Sequence, residues 1–93
     1  MKIFVNWSDI ETFEDFYDCF LPQLEAPEWH GRNLDALADS LVTGSINGIE
    51  PPFCVINTNS TELSGGAKEI FDTVAKIYEE ANAEGRKIRV FCE

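Results

Sequence analysis

Phe53-Cys54-Val55-Ile56 is a nearly continuous apolar run, with prolines just before it and polar residues just after it. A run of this length is typical of a central strand that is covered on both faces. Residues 1–6 predict another strand, because Ile3 and Val5 are β-branched, and residues 88–91 predict a last one. The apolar run is therefore the second of three predicted strands.

Helical patterns fill the intervals between these strands. Apolar residues keep helical spacing over 13–21, 34–41 and 67–81, and Thr12 and Asn33 are the predicted N-caps of the first two helices. Strands joined by helical crossovers form a parallel sheet with right-handed connections. The sequence contains no internal repeat, linker or low-complexity segment, so we predict a single α/β domain.

The composition limits the classes of partner. Seventeen acidic residues oppose seven basic ones among 93, for a net charge of −10. Because nucleic acids and anionic membranes repel such a charge, we expect neither as a partner. No segment resembles a signal peptide or a membrane span. Cys19, Cys54 and Cys92 match no zinc pattern, so we expect buried, reduced thiols in a cytoplasmic protein.

Two of the acids, Asp35 and Asp39, lie four residues apart in the second predicted helix. Residues at this spacing share a helical face, and the face lies away from the leucine stripe of that helix. Like charges at i and i+4 cost a helix a few tenths of a kcal/mol, so helix stability alone does not favour them. The pair is either an ordinary solvated face or part of a binding site. Trp29, in the preceding loop, either covers the core or anchors an interface.

Catalytic chemistry finds little support in the sequence. His30 is the only histidine, and we expect it to pack or contact solvent in a loop. No phosphate-binding loop or metal-ligand spacing is present, so we predict no enzyme activity, no cofactor and no metal site. Asp39-Ser40-Leu41 matches the attachment tripeptide of acyl carrier proteins, but those proteins are all-helical and carry the serine at a helix start.

Two stretches resemble the barstar family, the intracellular inhibitors of ribonucleases such as barnase. The first is Pro27-Glu28-Trp29-His30-Gly31-Arg32-Asn33-Leu34-Asp35-Ala36-Leu37-Ala38-Asp39, and the second is Glu80-Ala81-x-Ala83-Glu84-Gly85. The resemblance implies one barstar-like domain over residues 1–93, with a three-stranded parallel β-sheet packed by three to four α-helices.

The resemblance also implies a partner, which is a basic ribonuclease or nuclease toxin bound one-to-one. Asp39 would occupy the centre of the enzyme's active site in place of an RNA phosphate, with Asp35 and Glu80 paired to flanking cations. The family aromatic that lies against the catalytic histidine corresponds to Trp29. The remaining matched positions are two loop contacts and the glycine that closes the helix: Gly31, Asn33 and Gly44.

The chain departs from the family prototype at the edge of this site. Ala38 and Ser45 stand where the prototype has tryptophans, and the loop from Gly44 to Pro52 is longer. These differences suggest a target other than barnase, such as a related ribonuclease or a toxin for which this chain is the immunity protein. The alternative is a small acidic scaffold or regulatory module that has the fold but no ribonuclease target.

Overall fold

A computed structural model describes residues 1–93. In chain order, the elements are β1 (Lys2–Asn6), a 3₁₀ turn (Trp7–Asp9), α1 (Phe13–Gln23), α2 (Leu34–Ala38) with a π-helical extension (Asp39–Thr43), β2 (Phe53–Thr58), α3 (Gly65–Ala83) and β3 (Ile88–Cys92). The strands form one parallel sheet in the order β1-β2-β3. The predicted parallel α/β sheet with a central second strand is confirmed, and so is the number of α-helices at the lower end of the predicted range.

Local signals set the start of α1 as predicted. The Thr12 hydroxyl accepts a hydrogen bond from the Asp15 N–H at 3.1 Å, and the Asp15 carboxylate accepts one from the Thr12 N–H at 3.2 Å. This reciprocal arrangement satisfies backbone donors that have no partner inside the helix. The helix ends one residue after Pro22, close to the predicted position.

The core lies between one face of the sheet and the helices. Ile3, Val5 and Val55 on this face are fully buried, as are Phe16 and Phe20 of α1. The 3₁₀ turn adds a residue that the sequence analysis did not place, because Trp7 is buried and its Nε1–H donates to the Asn57 side chain at 2.8 Å. The buried side-chain amide of Asn57 in β2 thereby has a hydrogen-bond partner, as buried polar groups require.

Two predictions about burial are wrong. The central strand is covered on one face only, since Phe53, Val55 and Asn57 are buried whereas the alternate residues of β2 are only half-buried. A short apolar run does not reveal how many helices cover it, and here all three helices leave the other face open. The three thiols are free, but none is buried, and Cys92 is exposed.

Candidate functional site

The segment before α2 is shaped by its N-cap. The Asn33 side-chain oxygen accepts the Ala36 N–H at 2.8 Å, which confirms Asn33 as the cap. Gly31 packs so closely that a Cβ added to it would lie 2.8 Å from the Asn33 amide nitrogen and 3.0 Å from the Ala36 Cβ. A larger residue at position 31 would therefore displace the cap. Gly31 and Asn33 fix the start of the acidic helix.

The acid pair of α2 points into solvent. Leu37 and Leu41 are buried, whereas Asp35 and Asp39 are exposed. Neither carboxylate takes part in an ion pair or accepts a hydrogen bond from another side chain. The outward orientation predicted from the helical spacing is thus confirmed. The fold leaves both charges without a partner on the same molecule.

The last turn of this helix is wider than a standard α-helical turn. The Gly44 N–H donates to the Asp39 carbonyl at 3.1 Å, five residues back, which makes 39–43 a π-helical turn. Gly44 then has a positive φ of 84° and is buried beneath the Arg86 guanidinium. The prediction that Gly44 closes the helix is confirmed. Because it is buried, Gly44 contributes to the site by ending the helix rather than by presenting an atom.

Arg86 also holds the long loop that follows. Its guanidinium donates to Glu50 Oε1 at 2.7 Å, and the same oxygen accepts the Ser45 N–H at 2.8 Å. This ion pair is mostly shielded from solvent, with side-chain exposures of 22% and 30%. The loop between Gly44 and Pro52 is therefore tied to the segment that follows α3.

Trp29 is the most exposed large apolar side chain of the molecule, at 73%. The turn that presents it is closed by a hydrogen bond of 2.9 Å from the His30 N–H to the Pro27 carbonyl. His30 itself is buried, and its Nδ1 lies 2.7 Å from the Gly31 carbonyl oxygen. Histidine packs in this loop, as expected, whereas the tryptophan does not cover the core.

A cation that the sequence analysis did not consider fixes this loop to α1. Arg32 donates to Glu14 at 2.9 Å and to Asp18 at 2.5 Å, and its guanidinium lies 5.7 Å from the centre of the Tyr17 ring. The hydrogen bond that Arg32 donates to Glu14, and then the one that it donates to Asp18, raise the pKa of Arg32. The feature of the sequence that could have indicated this pairing is the four-residue spacing of Glu14 and Asp18, which places both acids on one face of α1. This pairing neutralises the one cation between Trp29 and the acid pair.

Glu80 supplies a further unpaired carboxylate from α3. It is exposed and takes part in no ion pair, while the neighbouring Ala81 is buried. Helix α3 packs against the π turn that begins at Asp39, and Arg86 lies against Gly44, so the end of α3 adjoins the end of the acidic helix. Asp39 and Glu80, which are about forty positions apart in sequence, thus lie on adjoining elements of the fold.

The structure also bears on three other possibilities, which are attachment of a carrier group, metal binding and membrane spanning. Ser40 has no exposed surface, and its hydroxyl donates to the Leu37 carbonyl at 3.1 Å, so it is not accessible for the attachment of a carrier group. No group of three metal-ligating side chains is close enough together to hold an ion. None of the helices combines the length and the apolar content needed to span a bilayer.

Together, these features define a small α/β domain with an acidic helix and an exposed tryptophan in the loop that precedes this helix. The family model described as Barstar (barnase inhibitor) matches residues 1–93. A relative from Bacillus subtilis (strain 168), named "Putative ribonuclease inhibitor YrdF", is 31% identical over 87 residues, which cover 89% of this chain and 91% of the relative. The chain belongs to the barstar family.

Proposed function

We propose that this protein inhibits a ribonuclease by binding one-to-one over a basic active site. The observation that carries the proposal is the combination of exposed, unpaired carboxylates with the exposed Trp29. Such a site is complementary to a cleft that binds phosphate, because the cleft must be positively charged. Family membership and the name of the Bacillus relative support the same class of target.

Each side chain has a role in this proposal. Asp39 takes the place of an RNA phosphate among the enzyme's catalytic cations, and Asp35 and Glu80 pair with basic residues at its rim. Trp29 lies against the catalytic histidine of the enzyme, so most of its exposed ring is removed from solvent on binding. Asn33 remains exposed while it caps the helix, so its amide nitrogen is free to donate to the enzyme.

The repulsion between Asp35 and Asp39 in the free protein is relieved when cationic groups lie between them. Part of the binding free energy therefore comes from removing an unfavourable interaction of the free inhibitor. The barnase–barstar complex is itself the standard example of strong coupling between close interfacial charges, so the expected size of the effect comes from the family.

The target is a basic ribonuclease or a nuclease toxin that differs from barnase at the edge of the interface. Ala38 lies between the two acids and offers only a methyl group, and Ser45 begins a loop held by Glu50 and Arg86. Compared with the family prototype, the edge of the interface thus lacks two large aromatic side chains and has a longer, structured loop. Such a protein acts in the cytoplasm as the immunity protein of the cell that makes the toxin, and it has no enzyme activity of its own.

The test is a ribonuclease assay with barnase and with the basic ribonucleases purified from the source cell. The Asp39→Ala variant should raise the inhibition constant at least about 30-fold, as expected for a central interface residue. Glu62→Ala is the matched control, because it removes the same charge from an exposed position in the loop before α3. Its inhibition constant should stay within about threefold of the wild type. If the two variants weaken inhibition equally, the site assignment is wrong.

A further inference from the structure

The open face of the sheet carries two ordered rows of side chains. The strand register places Phe4, Ile56 and Phe91 side by side across the three strands. Phe4 on the outer strand β1 is 56% exposed and Phe91 on the outer strand β3 is 49% exposed, on either side of Ile56 in the central strand. Parallel sheets are almost always covered on both faces, so an exposed apolar row at this position is unusual.

The adjacent row is cationic. Lys2 and Arg89 flank Cys54 in the next register position on the same face. Neither cation takes part in an ion pair, whereas Arg32, Lys68 and Arg86 all do. A chain with ten more acidic than basic residues therefore presents free positive charge beside its exposed aromatic row. Glu93, which follows β3 at the opposite end, lines the same shallow hollow as Lys2, so the face also carries one acidic side chain.

Both outer strands have a position where the backbone is already paired. The Gln23 side chain accepts the Phe4 N–H at 2.8 Å and donates to the Phe4 carbonyl at 2.7 Å. The Asn82 side chain does the same for Ile88, with both hydrogen bonds at 2.9 Å. A further strand cannot pair at these residues without displacing the amides. A partner of this surface therefore lies on the face rather than along an edge.

The dimensions of the face limit the kind of element that a partner could place on it. Three strands about 4.8 Å apart, with five paired positions about 3.3 Å apart, give a surface of roughly 15 by 17 Å. This surface is smaller than the roughly 800 Å² per partner of a stable protein–protein interface, so we expect any partner of the face to bind weakly. One helix, about 10 Å in diameter and about 11 residues long, matches the dimensions of the face.

We propose that this face binds an amphipathic, acidic helix of a partner protein. The apolar stripe of that helix lies on Phe4, Ile56 and Phe91, and carboxylates at one of its ends pair with Lys2 and Arg89. The partner supplies in trans the helical layer that the chain itself places on only one side of its sheet. This surface is separate from the carboxylates of α2, so the two partners bind independently.

The test uses two synthetic helical peptides of about 18 residues that share a leucine stripe. One has glutamates at one end of the polar face, and the other has lysines there. NMR titration of the full chain with the glutamate peptide should shift the resonances of the Phe4–Ile56–Phe91 row with a dissociation constant below about 1 mM. The lysine peptide should bind at least about tenfold more weakly.

Charge-reversal variants provide the matched comparison. Arg89→Glu should weaken binding of the glutamate peptide about tenfold. Lys76→Glu changes the net charge by the same amount on an unpaired, exposed residue of α3, and it should leave binding unchanged. Asp39→Ala should also leave it unchanged, which separates this surface from the ribonuclease site.

Four outcomes would overturn the proposal. They are the absence of shifts with the glutamate peptide at millimolar concentration, equal affinity for both peptides, and equal effects of Arg89→Glu and Lys76→Glu. The fourth is occupation of the face by something else, seen either as dimerisation in sedimentation experiments or as a preference for anionic lipid vesicles over the peptide.

Discussion

At the scale of single residues, the carboxylate of Asp39 makes no ion pair that would stabilise the fold. It is exposed, unpaired and one helical turn from the like charge of Asp35. Such a pair lowers helix stability slightly when no cation lies between the charges. The helical spacing in the sequence already indicated both the shared face and its cost.

Asp39→Asn should therefore stabilise the free protein while it weakens the complex. We expect a gain of about 0.2–0.5 kcal/mol in the free energy of unfolding, measured by urea denaturation at low salt. The gain should shrink at about 0.5 M salt, where the repulsion is screened. Glu62→Gln, which neutralises a charge outside this pair, is the control. A loss of stability on Asp39→Asn would contradict this interpretation of the acid pair.

A second residue-scale prediction concerns two glycines with similar positive φ angles. Gly44 has φ 84°, and a Cβ added to it would clash with the Arg86 guanidinium. Gly85 has φ 87°, but a Cβ added there would meet nothing within 4 Å. Gly85→Ala should cost about 1 kcal/mol from backbone strain alone. Gly44→Ala should cost about 2–3 kcal/mol, because strain and the clash with Arg86 add. Equal losses in urea denaturation would show that the Arg86 contact is unimportant.

At the scale of elements, helix starts were the most predictable features. Thr12 and Asn33 were identified as caps from residue type alone, and both side chains accept the expected backbone N–H. Capping depends on residues within one helical turn, so the sequence contains the whole interaction. The π turn at the end of the acidic helix could not be predicted, because it accompanies the contact of Gly44 with the distant Arg86.

The cap of α1 should make stability depend on pH. Hydrogen bonds from the backbone N–H groups of Glu11 and Thr12 lower the pKa of Asp15 from its ordinary value of 3.8. A carboxyl whose pKa is lower in the folded state stabilises the fold fully above its unfolded pKa. This contribution is lost as the pH falls through the lower, folded pKa.

Asp15→Asn should therefore lower the thermal midpoint near neutral pH, because the amide is a weaker acceptor than the carboxylate. The difference from the wild type should shrink below about pH 4. Melting curves followed by circular dichroism between pH 3 and about 7 would measure it. A difference that stays constant over this range would mean that the charge of Asp15 does not contribute.

At the scale of the whole molecule, charge distribution separates the two candidate functions. A net charge of −10 with a cluster of unpaired carboxylates should steer the protein to a cationic target. The association rate with its ribonuclease should fall at least about tenfold between 0.05 and 0.5 M salt, measured by stopped-flow fluorescence. A scaffold that docks through apolar surface would show little change, and this result would favour the acidic-scaffold alternative.

The sequence by itself determined the order of strands and helices, the caps, and the outward direction of the acid pair. Each of these depends on residues within a few positions of one another, where spacing and residue type decide the structure. Only the tertiary structure decided that Trp29 is exposed while Trp7 is buried, that Arg32 is neutralised by α1, and that one face of the central strand stays open. These features depend on which distant elements pack together, and a local pattern of apolar residues is the same whether or not another layer covers it.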